Sequence, residues 1–254
     1  MFVDLHCHIL PEIDDGARDL EESIEMAKMA VEDGIGHILC TPHHLNGRFE
    51  NNRNEVIEKV AALQEELDRQ KIPLELYEGQ EVHLNEEIPN QLRAGNILCA
   101  DLSDKYFLLE FPTDDIPAFA EPLINEILVM GKTPIIVHPE RNSKMIKDPN
   151  RLLPFIEMGC LAQLTAPSIC GHFGKKIKKT AEIMLDHNMV HMVASDAHNT
   201  TTRPFMMTQA FNVIEQQFGE DMATFLQNMA RHILNGDEVA IYEPTPYKTY
   251  FSLF

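Results

Sequence analysis

Two histidines, His6 and His8, are separated by a single residue near the start of the chain. Side chains alternate in direction along a strand, so both imidazoles should point to one side and Cys7 to the other. Two such histidines standing alone are more often satisfied by local hydrogen bonds than engaged in chemistry. Residues of the same chemical types recur, however, after most of the later apolar segments.

Six of the seven predicted strands end in a histidine, an aspartate or a glutamate. After His6 and His8, the candidates are Asp14 and Asp15 in the next loop, His43, Glu81, Glu110, His138, Asp196 and His198. Catalytic residues of α/β barrels lie at the C-terminal ends of the strands, so these separate segments point at one volume. Nitrogen and carboxylate ligands without thiolate suit zinc, manganese or iron, and about nine of them can hold two or three ions. Such a cluster lowers the pKa of a bridging water and neutralises charge on a phosphoryl group.

Two arginines follow the predicted ligands at short spacing. Arg141 lies three residues beyond His138, and Arg203 lies five residues beyond His198. A guanidinium can donate two parallel hydrogen bonds to phosphate oxygens. Each arginine alone is more often a surface ion-pair residue, but beside metal ligands both are predicted to bind phosphate. The sequence therefore predicts a metal-dependent hydrolase of phosphate esters.

Other phosphate and nucleophile chemistries lack their motifs. No cysteine has an arginine six residues later, so the phosphatase loop with a cysteine nucleophile is absent, and there is no Gly-x-Ser-x-Gly elbow. Gly131-Lys132-Thr133 resembles the end of a P-loop, but it precedes a predicted strand instead of opening a helix. The five cysteines show no paired spacing and are predicted to be reduced core thiols. Lys175 to Lys179 is most simply a solvated helix face, although in so acidic a chain it can also steer an anionic partner.

Short apolar runs alternate with segments of helical periodicity, which predicts a parallel sheet or barrel. The predicted strands are residues 2–8, 37–41, 74–82, 106–111, 134–138, 161–165 and 192–198. The predicted helices are residues 20–33, 54–70, 117–130, 149–158, 175–187, 206–218 and 221–234.

The bulk composition narrows the class of protein. A chain of 254 residues with no apparent repeat or linker favours one domain, residues 1–254, in which residues 243–254 form an extended C-terminal arm. A formal net charge of −19 argues against nucleic acid as a binding platform. No segment is apolar enough to span a bilayer and no basic leader precedes Phe2, so we expect a cytoplasmic protein.

The motifs together resemble the polymerase and histidinol phosphatase (PHP) superfamily. The resemblance rests on segments that follow one another in order along nearly the whole chain. They are Asp4-Leu5-His6-Cys7-His8, Ile13-Asp14-Asp15-Gly16, Thr41-Pro42-His43, Gly79-Gln80-Glu81, Leu109-Glu110-Phe111, His138-Pro139-Glu140-Arg141 and Ser195-Asp196-Ala197-His198. Within this superfamily they are most similar to the bacterial protein-tyrosine phosphatases of the CpsB/CapC type, associated with capsule and exopolysaccharide synthesis.

This resemblance implies a distorted (β/α)7 barrel and a site that prefers manganese, with iron, zinc or magnesium as possible substitutes. The implied metal ligands are His6, His8, Asp15, His43, Glu81, Glu110, His138, Asp196 and His198. Arg141 and Arg203 would hold phosphate, and adjacency leaves Asp14 open as an alternative to Asp15. Water or a nearby histidine, either His44 or His83, would protonate the leaving group.

The implied activity is that of a protein-tyrosine phosphatase whose partners are tyrosine-phosphorylated proteins, especially a tyrosine autokinase of polysaccharide export. The alternatives are a small-molecule phosphatase, such as histidinol phosphatase, and a non-catalytic regulatory module. The complete set of ligand positions weighs against the regulatory module. The sequence leaves the oligomeric state open.

Overall fold

Parallel strands form the centre of the structure, a computed structural model that describes residues 1–248. In that part of the chain the strands are β1 (Phe2–Cys7), β2 (Ile35–Cys40), β3 (His43–His44), β4 (Glu75–Glu78), β5 (Glu81–His83), β6 (Tyr106–Glu110), β7 (Thr133–Val137), β8 (Leu161–Thr165) and β9 (Met192–Ala194). They pair in the orders β1-β2-β4 and β3-β5-β6-β7-β8-β9, and every pairing is parallel.

The two groups of strands join into one closed barrel. β2 continues into β3 and β4 into β5 after two intervening residues each, so nine short strands make up seven strand segments within residues 1–248. A parallel bridge between Cys7 and Ala197 closes the ring, and the amide of Asp196 donates to the carbonyl of His6 at 2.8 Å. The predicted distorted (β/α)7 barrel is confirmed.

Most predicted strands agree with the observed ones to within two residues at each end, but two differ in a way that affects the site. The third breaks at Gly79-Gln80, where a Cβ on Gly79 would lie 2.8 Å from the Leu39 side chain. The seventh ends at Ala194 and not at His198, because Asp196 adopts a left-handed backbone conformation with φ of 53°. Both interruptions lie beside candidate site residues.

Helices on the outside of the barrel run back between successive strands. They are α1 (Leu20–Glu32), α2 (Arg53–Gln70), α3 (Ile88–Arg93), α4 (Ala120–Val129), α5 (Ser143–Lys147), α6 (Leu153–Met158), α7 (Ala166–Cys170), α8 (Lys175–Asp186), α9 (Met207–Phe218) and α10 (Glu220–Asn235), with 3-10 turns at Pro139–Arg141 and Pro149–Leu152. The long helices lie where they were predicted, and α4 begins three residues later than expected. The sequence did not predict α3, α5 and α7, which have five or six residues and show too few turns for a periodicity.

A bulge in β1 lets one strand serve both the floor and the mouth of the barrel. Val3 and Leu5 pack inside the barrel against Tyr106 and Leu108, below the site. The pairing register with β2 then shifts between Asp4 and Cys7. A bulge re-aims the side chains that follow it, so His6 and His8 also face the interior.

The last described residues lie against the outer helices. The amide of Thr245 donates to the carbonyl of His187, and Tyr247 exchanges hydrogen bonds with the side chain of Asn150. The remainder of the predicted C-terminal arm, residues 249–254, lies outside the described residues. No helix within residues 1–248 combines the length and apolarity needed to cross a bilayer.

Candidate metal centre

His6 and His8 present the same ring nitrogen to the interior of the barrel mouth. Nδ1 of His6 lies 2.8 Å from Oε1 of Gln163, whose amide nitrogen donates to the carbonyl of Leu164, so Nδ1 of His6 is the donor. Nδ1 of His8 lies 2.7 Å from a carboxylate oxygen of Asp14, which can only accept. In both neutral rings the lone pair is therefore on Nε2.

These two Nε2 atoms lie 3.2 Å apart. Two neutral imidazoles that face each other with lone pairs cannot hydrogen-bond, and both rings are buried. The arrangement requires a positive charge, either a proton or a metal ion. The donor set of imidazole nitrogens and carboxylate oxygens fits a divalent cation of the zinc, manganese or iron type.

Glu81 occupies the middle of the cluster. Its Oε2 lies 3.4 Å from Nε2 of His6, 3.3 Å from Nε2 of His8 and 2.8 Å from Nδ1 of His43. Its other oxygen lies 2.8 Å from Nε2 of His138. A buried carboxylate with four imidazoles around it would help to hold bound cations at the centre of the cluster.

The carboxylate of Asp196 faces two ways. Its Oδ1 lies 3.4 Å from Nε2 of His6 and 3.5 Å from Nε2 of His8. Its Oδ2 accepts hydrogen bonds from Arg141 and Arg203, the latter at 2.5 Å. Asp196 therefore connects the histidine pair to the two arginines that were predicted to bind phosphate.

The remaining predicted ligands lie on the outer side of Glu81. Oδ1 of Asp15 is 3.4 Å from Nε2 of His43 and 3.6 Å from Nε2 of His198. Glu110 lies 3.8 Å from Nδ1 of His43. Contacts below 4 Å thus link all nine predicted ligands into one network. Within it, three overlapping groups have ligand atoms all within 4.8 Å of one another: His8, Asp15, His43 and His198; His6, His8 and Glu81; and His43, Glu81 and Glu110.

The carboxylates give this network a strong demand for positive charge. Burial lowers the pKa of His8, but the carboxylates of Asp14 and Glu81 together outweigh it and raise that pKa to about 9. Burial likewise opposes protonation of His43, yet Glu81 and Asp15 raise its pKa to about 11. Burial would raise the pKa of Glu81, but the surrounding histidines hold it well below its usual range. The ionised carboxylates therefore attract positive charge to the site, in the form of a proton on a histidine or of a metal ion.

The loop after β1 separates the roles of two adjacent aspartates. Asp14 accepts hydrogen bonds from Nδ1 of His8, from the amide of Gly16 and from the amide of His43. Both its carboxylate oxygens are therefore used to position neighbouring residues. Asp15 faces the outer histidines instead, which favours it as the ligand. The turn needs Gly16, because a Cβ there would lie 2.1 Å from the carbonyl oxygen of His8.

Several residues that support the site have no obvious signal in the sequence. Gln163 orients His6 from β8, the one segment without a predicted ligand. The buried carboxylate of Asp4 accepts from the amide and the hydroxyl of Ser195, which fixes the turn before Asp196. Each contact joins residues more than 150 positions apart. An inward-facing polar residue on a buried strand, as Gln163 is, was the only available hint.

The two histidines considered as proton donors lie in different places. The prediction for His44 is wrong, because adjacent strand residues point to opposite sides and its ring lies outside the barrel beside Glu50 and Asn52. His83 lies at the mouth, where its Nδ1 is 3.1 Å from Oε2 of Glu110. Of the two histidines, His83 remains a candidate for the proton donor, beside water.

Comparison with known proteins finds similarity along almost the whole chain. The family model "Capsular polysaccharide synthesis, CpsB/CapC" matches residues 2–235. Tyrosine-protein phosphatase YwqE of Bacillus subtilis is 40% identical over 97% of this chain and 96% of its own length. The putative tyrosine-protein phosphatase CapC of Staphylococcus aureus is 37% identical over 96% of this chain and 95% of its own.

The architecture also matches a solved structure. It comes from crystal structures of YwqE from Bacillus subtilis and CpsB from Streptococcus pneumoniae, described as unique metal-dependent tyrosine phosphatases. The TM-score is 0.93 at 39% identity, over 97% of this chain and all of the other.

Proposed function

Because this chain belongs to the CpsB/CapC family, we propose that it is a metal-dependent protein-tyrosine phosphatase that hydrolyses phosphotyrosine on proteins. The observation that carries the proposal is the cluster at the barrel mouth, where six strand segments bring imidazoles and carboxylates within 4 Å of one another. Two arginines, Arg141 and Arg203, lie beside this cluster and both donate to Oδ2 of Asp196. Such an arrangement combines a site for cations with a site for phosphate.

We assign the metal ligands as His6, His8, Asp15, His43, Glu81, Glu110, His138, Asp196 and His198. Manganese is the proposed metal, because the family resemblance implies it and a set of nitrogen and oxygen ligands suits it; the related phosphatases are described as metal-dependent. Bound divalent ions supply an activated water near neutral pH and offset the charge that develops on the phosphoryl group.

The residues of the chain itself position the substrate. Arg141 and Arg203 each present further N–H donors besides the one that contacts Asp196, and these hold the phosphoryl oxygens. Asp14 and Gln163 keep the donor proton on Nδ1 of His8 and His6, so that Nε2 stays free as a ligand. His83 is placed at the mouth to give a proton to the departing phenolate.

Phosphotyrosine suits this site for a chemical reason. A phenol with a pKa near 10 is a better leaving group than an aliphatic alcohol and depends less on a general acid. Protein substrates must reach metals at the barrel mouth, so the phosphorylated tyrosine should lie in a flexible segment. The family description refers to capsular polysaccharide synthesis, and this supports a tyrosine autokinase of that pathway as the natural substrate.

The test is turnover by manganese-loaded protein of a phosphotyrosine peptide, a phosphoserine peptide and histidinol phosphate. We expect the phosphotyrosine peptide to be preferred and a chelator to abolish turnover. Thiol alkylation should leave most activity intact, because burial raises the pKa of the Cys40 thiol far above its usual range and that of the Cys160 thiol to about 12, and so keeps both protonated. A tenfold preference for histidinol phosphate would contradict the protein-phosphatase assignment, and activity of metal-stripped protein would contradict the metal site.

A further inference from the structure

Four lysines stand at the start of α8, where folding gives no reason for them. Lys175, Lys176, Lys178 and Lys179, hereafter the lysine patch, occupy four of the first five positions of this helix. A helix N-terminus carries partial positive charge, so lysines there destabilise the helix. No side chain caps α8, whereas α1 has Asp19 as its cap and two glutamates in its first turn.

Carboxylates do not neutralise most of this charge. Of these four lysines, only Lys179 has a carboxylate of the described residues within 4 Å, that of Glu182 at 3.7 Å. Lys175 and Lys176 are exposed. The whole chain has 40 acidic and 21 basic residues, so this concentration of unpaired cations stands out against an acidic surface.

The lysine patch is continuous with the phosphate-binding side of the site. Helices of a barrel begin at the C-terminal ends of the strands, where the metal ligands lie. The loop before α8 contacts both arginine-bearing segments. The guanidinium of Arg141 lies 5.4 Å from the centre of the Phe173 ring, and Nε2 of His172 lies 2.9 Å from the carbonyl oxygen of Thr202, next to Arg203.

We propose that the lysine patch binds acidic residues that flank the phosphotyrosine of a protein substrate. The proposal rests on the phosphatase function above and adds a preference for sequence context. An extended peptide advances about 3.3 Å per residue, so acidic side chains a few positions from the phosphotyrosine reach beyond the arginines to the start of α8. A chain of net charge −19 repels such a segment elsewhere, and the lysine patch gives it one attractive route to the site.

The experiment compares two lysine pairs at opposite ends of the barrel. The test variant is Lys175→Gln/Lys176→Gln. The matched control is Lys28→Gln/Lys71→Gln, which removes the same charge from the late part of α1 and the C-terminal end of α2. Glutamine keeps high helix propensity, so both variants should fold.

The substrates are two phosphotyrosine peptides of equal length, flanked by glutamates in one and by glutamines in the other. In the test variant, KM for the glutamate-flanked peptide should rise about fivefold, which corresponds to roughly 1 kcal/mol of binding free energy. Its kcat should not change, nor should either constant for the glutamine-flanked peptide. The control should behave as wild type, and the wild-type preference should shrink as salt is added.

Binding of non-hydrolysable phosphonate versions of both peptides, followed by fluorescence anisotropy, separates this proposal from the proposed function. The proposed role of the lysine patch is supported if wild type binds the acidic peptide more tightly and only the test variant loses this preference. Equal affinity for the two peptides, or equal loss in test and control variants, overturns it. Failure to hydrolyse either phosphopeptide would contradict the phosphatase function, while these binding measurements would still decide the role of the lysine patch.

Discussion

The two ends of the barrel bury histidine in opposite ways. At the mouth, carboxylates outweigh the effect of burial at two histidines and raise the pKa of His8 to about 9 and of His43 to about 11, whereas burial and the nearby His8 hold the pKa of His198 well below its usual value. At the other end, His191 lies just before β9 with one hydrogen bond, from the amide of Ala162 to Nδ1, and burial lowers its pKa to about 4. Burial alone makes a histidine neutral, so the mouth is built to hold positive charge.

Two residues of the site hold left-handed backbone conformations. His138 and Asp196, both at the mouth, have positive φ values of 37° and 53°. Such conformations cost roughly 1–3 kcal/mol each in residues other than glycine. The interior at the other end is filled by apolar side chains such as Val3, Leu5 and Tyr106. Packing at one end therefore supports strained, charged chemistry at the other.

The largest effect should come from Glu81→Ala, which removes the carboxylate at the centre of the mouth. We expect loss of bound metal and a fall in kcat/KM of at least about a thousandfold, since the ions contribute several kcal/mol of charge stabilisation. Metal analysis and kinetics measure both. Glu78→Ala, in the neighbouring strand but outside the cluster, is the control. Retained metal and rate in Glu81→Ala would show that the mouth does not bind the ions through this residue.

The next effect concerns the arginines at the edge of the mouth. Arg141→Ala and Arg203→Ala should each lower kcat about a hundredfold, the effect of losing roughly 3 kcal/mol of transition-state stabilisation. Metal content should stay normal, because the arginines contact Asp196 through the oxygen that faces away from the histidines. Near-normal kinetics in both variants would show that the two arginines act only as ion-pair partners of Asp196 and do not bind the phosphoryl group. Loss of metal would make them supports of the cluster.

The sequence predicted the candidate metal ligands at the mouth better than the residues that orient those ligands. His6 and His8, and acidic residues at strand ends, follow from alternation and from the polarity of a parallel barrel. Gln163 could not be assigned to His6, because no local pattern specifies contacts between strands far apart in the chain. The bulge in β1 was also missed, because alternation along an unbroken strand would place Leu5 and His6 on opposite sides, whereas both face the interior.

A smaller loss of metal affinity is expected when the residues that orient His6 and His8, which are Gln163 and Asp14, are replaced. Partners that orient ligands usually contribute about 10- to 100-fold in metal affinity. Asp14→Asn should lose close to 100-fold in metal affinity, because Asp14 supports both the His8 ring and the His43 backbone. Gln163→Leu should lose closer to tenfold, because Gln163 supports His6 alone. Chelator-competition titrations measure the affinities. Gln163→Glu retains the acceptor for His6 and should preserve binding better than leucine, and equal losses in all three variants would argue against an orienting role.

The smallest effect on activity is expected for His191→Gln, at the end away from the mouth. Its folded pKa of about 4 lies below the value near 6.5 of an unfolded chain, so the unfolded state takes up the proton first as the pH falls. The contribution of neutral His191 to the free energy of unfolding should therefore be fully present above about pH 6.5 and be lost as the pH drops towards 4. Over that range this group alone accounts for roughly 3 kcal/mol of the free energy of unfolding.

Glutamine cannot take up this proton but retains an acceptor for the amide of Ala162. Protonation of the metal ligands occurs in both proteins and cancels when they are compared. Urea unfolding from pH 7 to pH 4 should therefore show His191→Gln losing less stability than wild type, with unchanged turnover at neutral pH. Parallel pH curves would mean that His191 is already protonated in the folded protein or reaches water there. The contrast between the two ends would then rest on the carboxylates at the mouth alone, because burial would no longer distinguish the histidine at the opposite end.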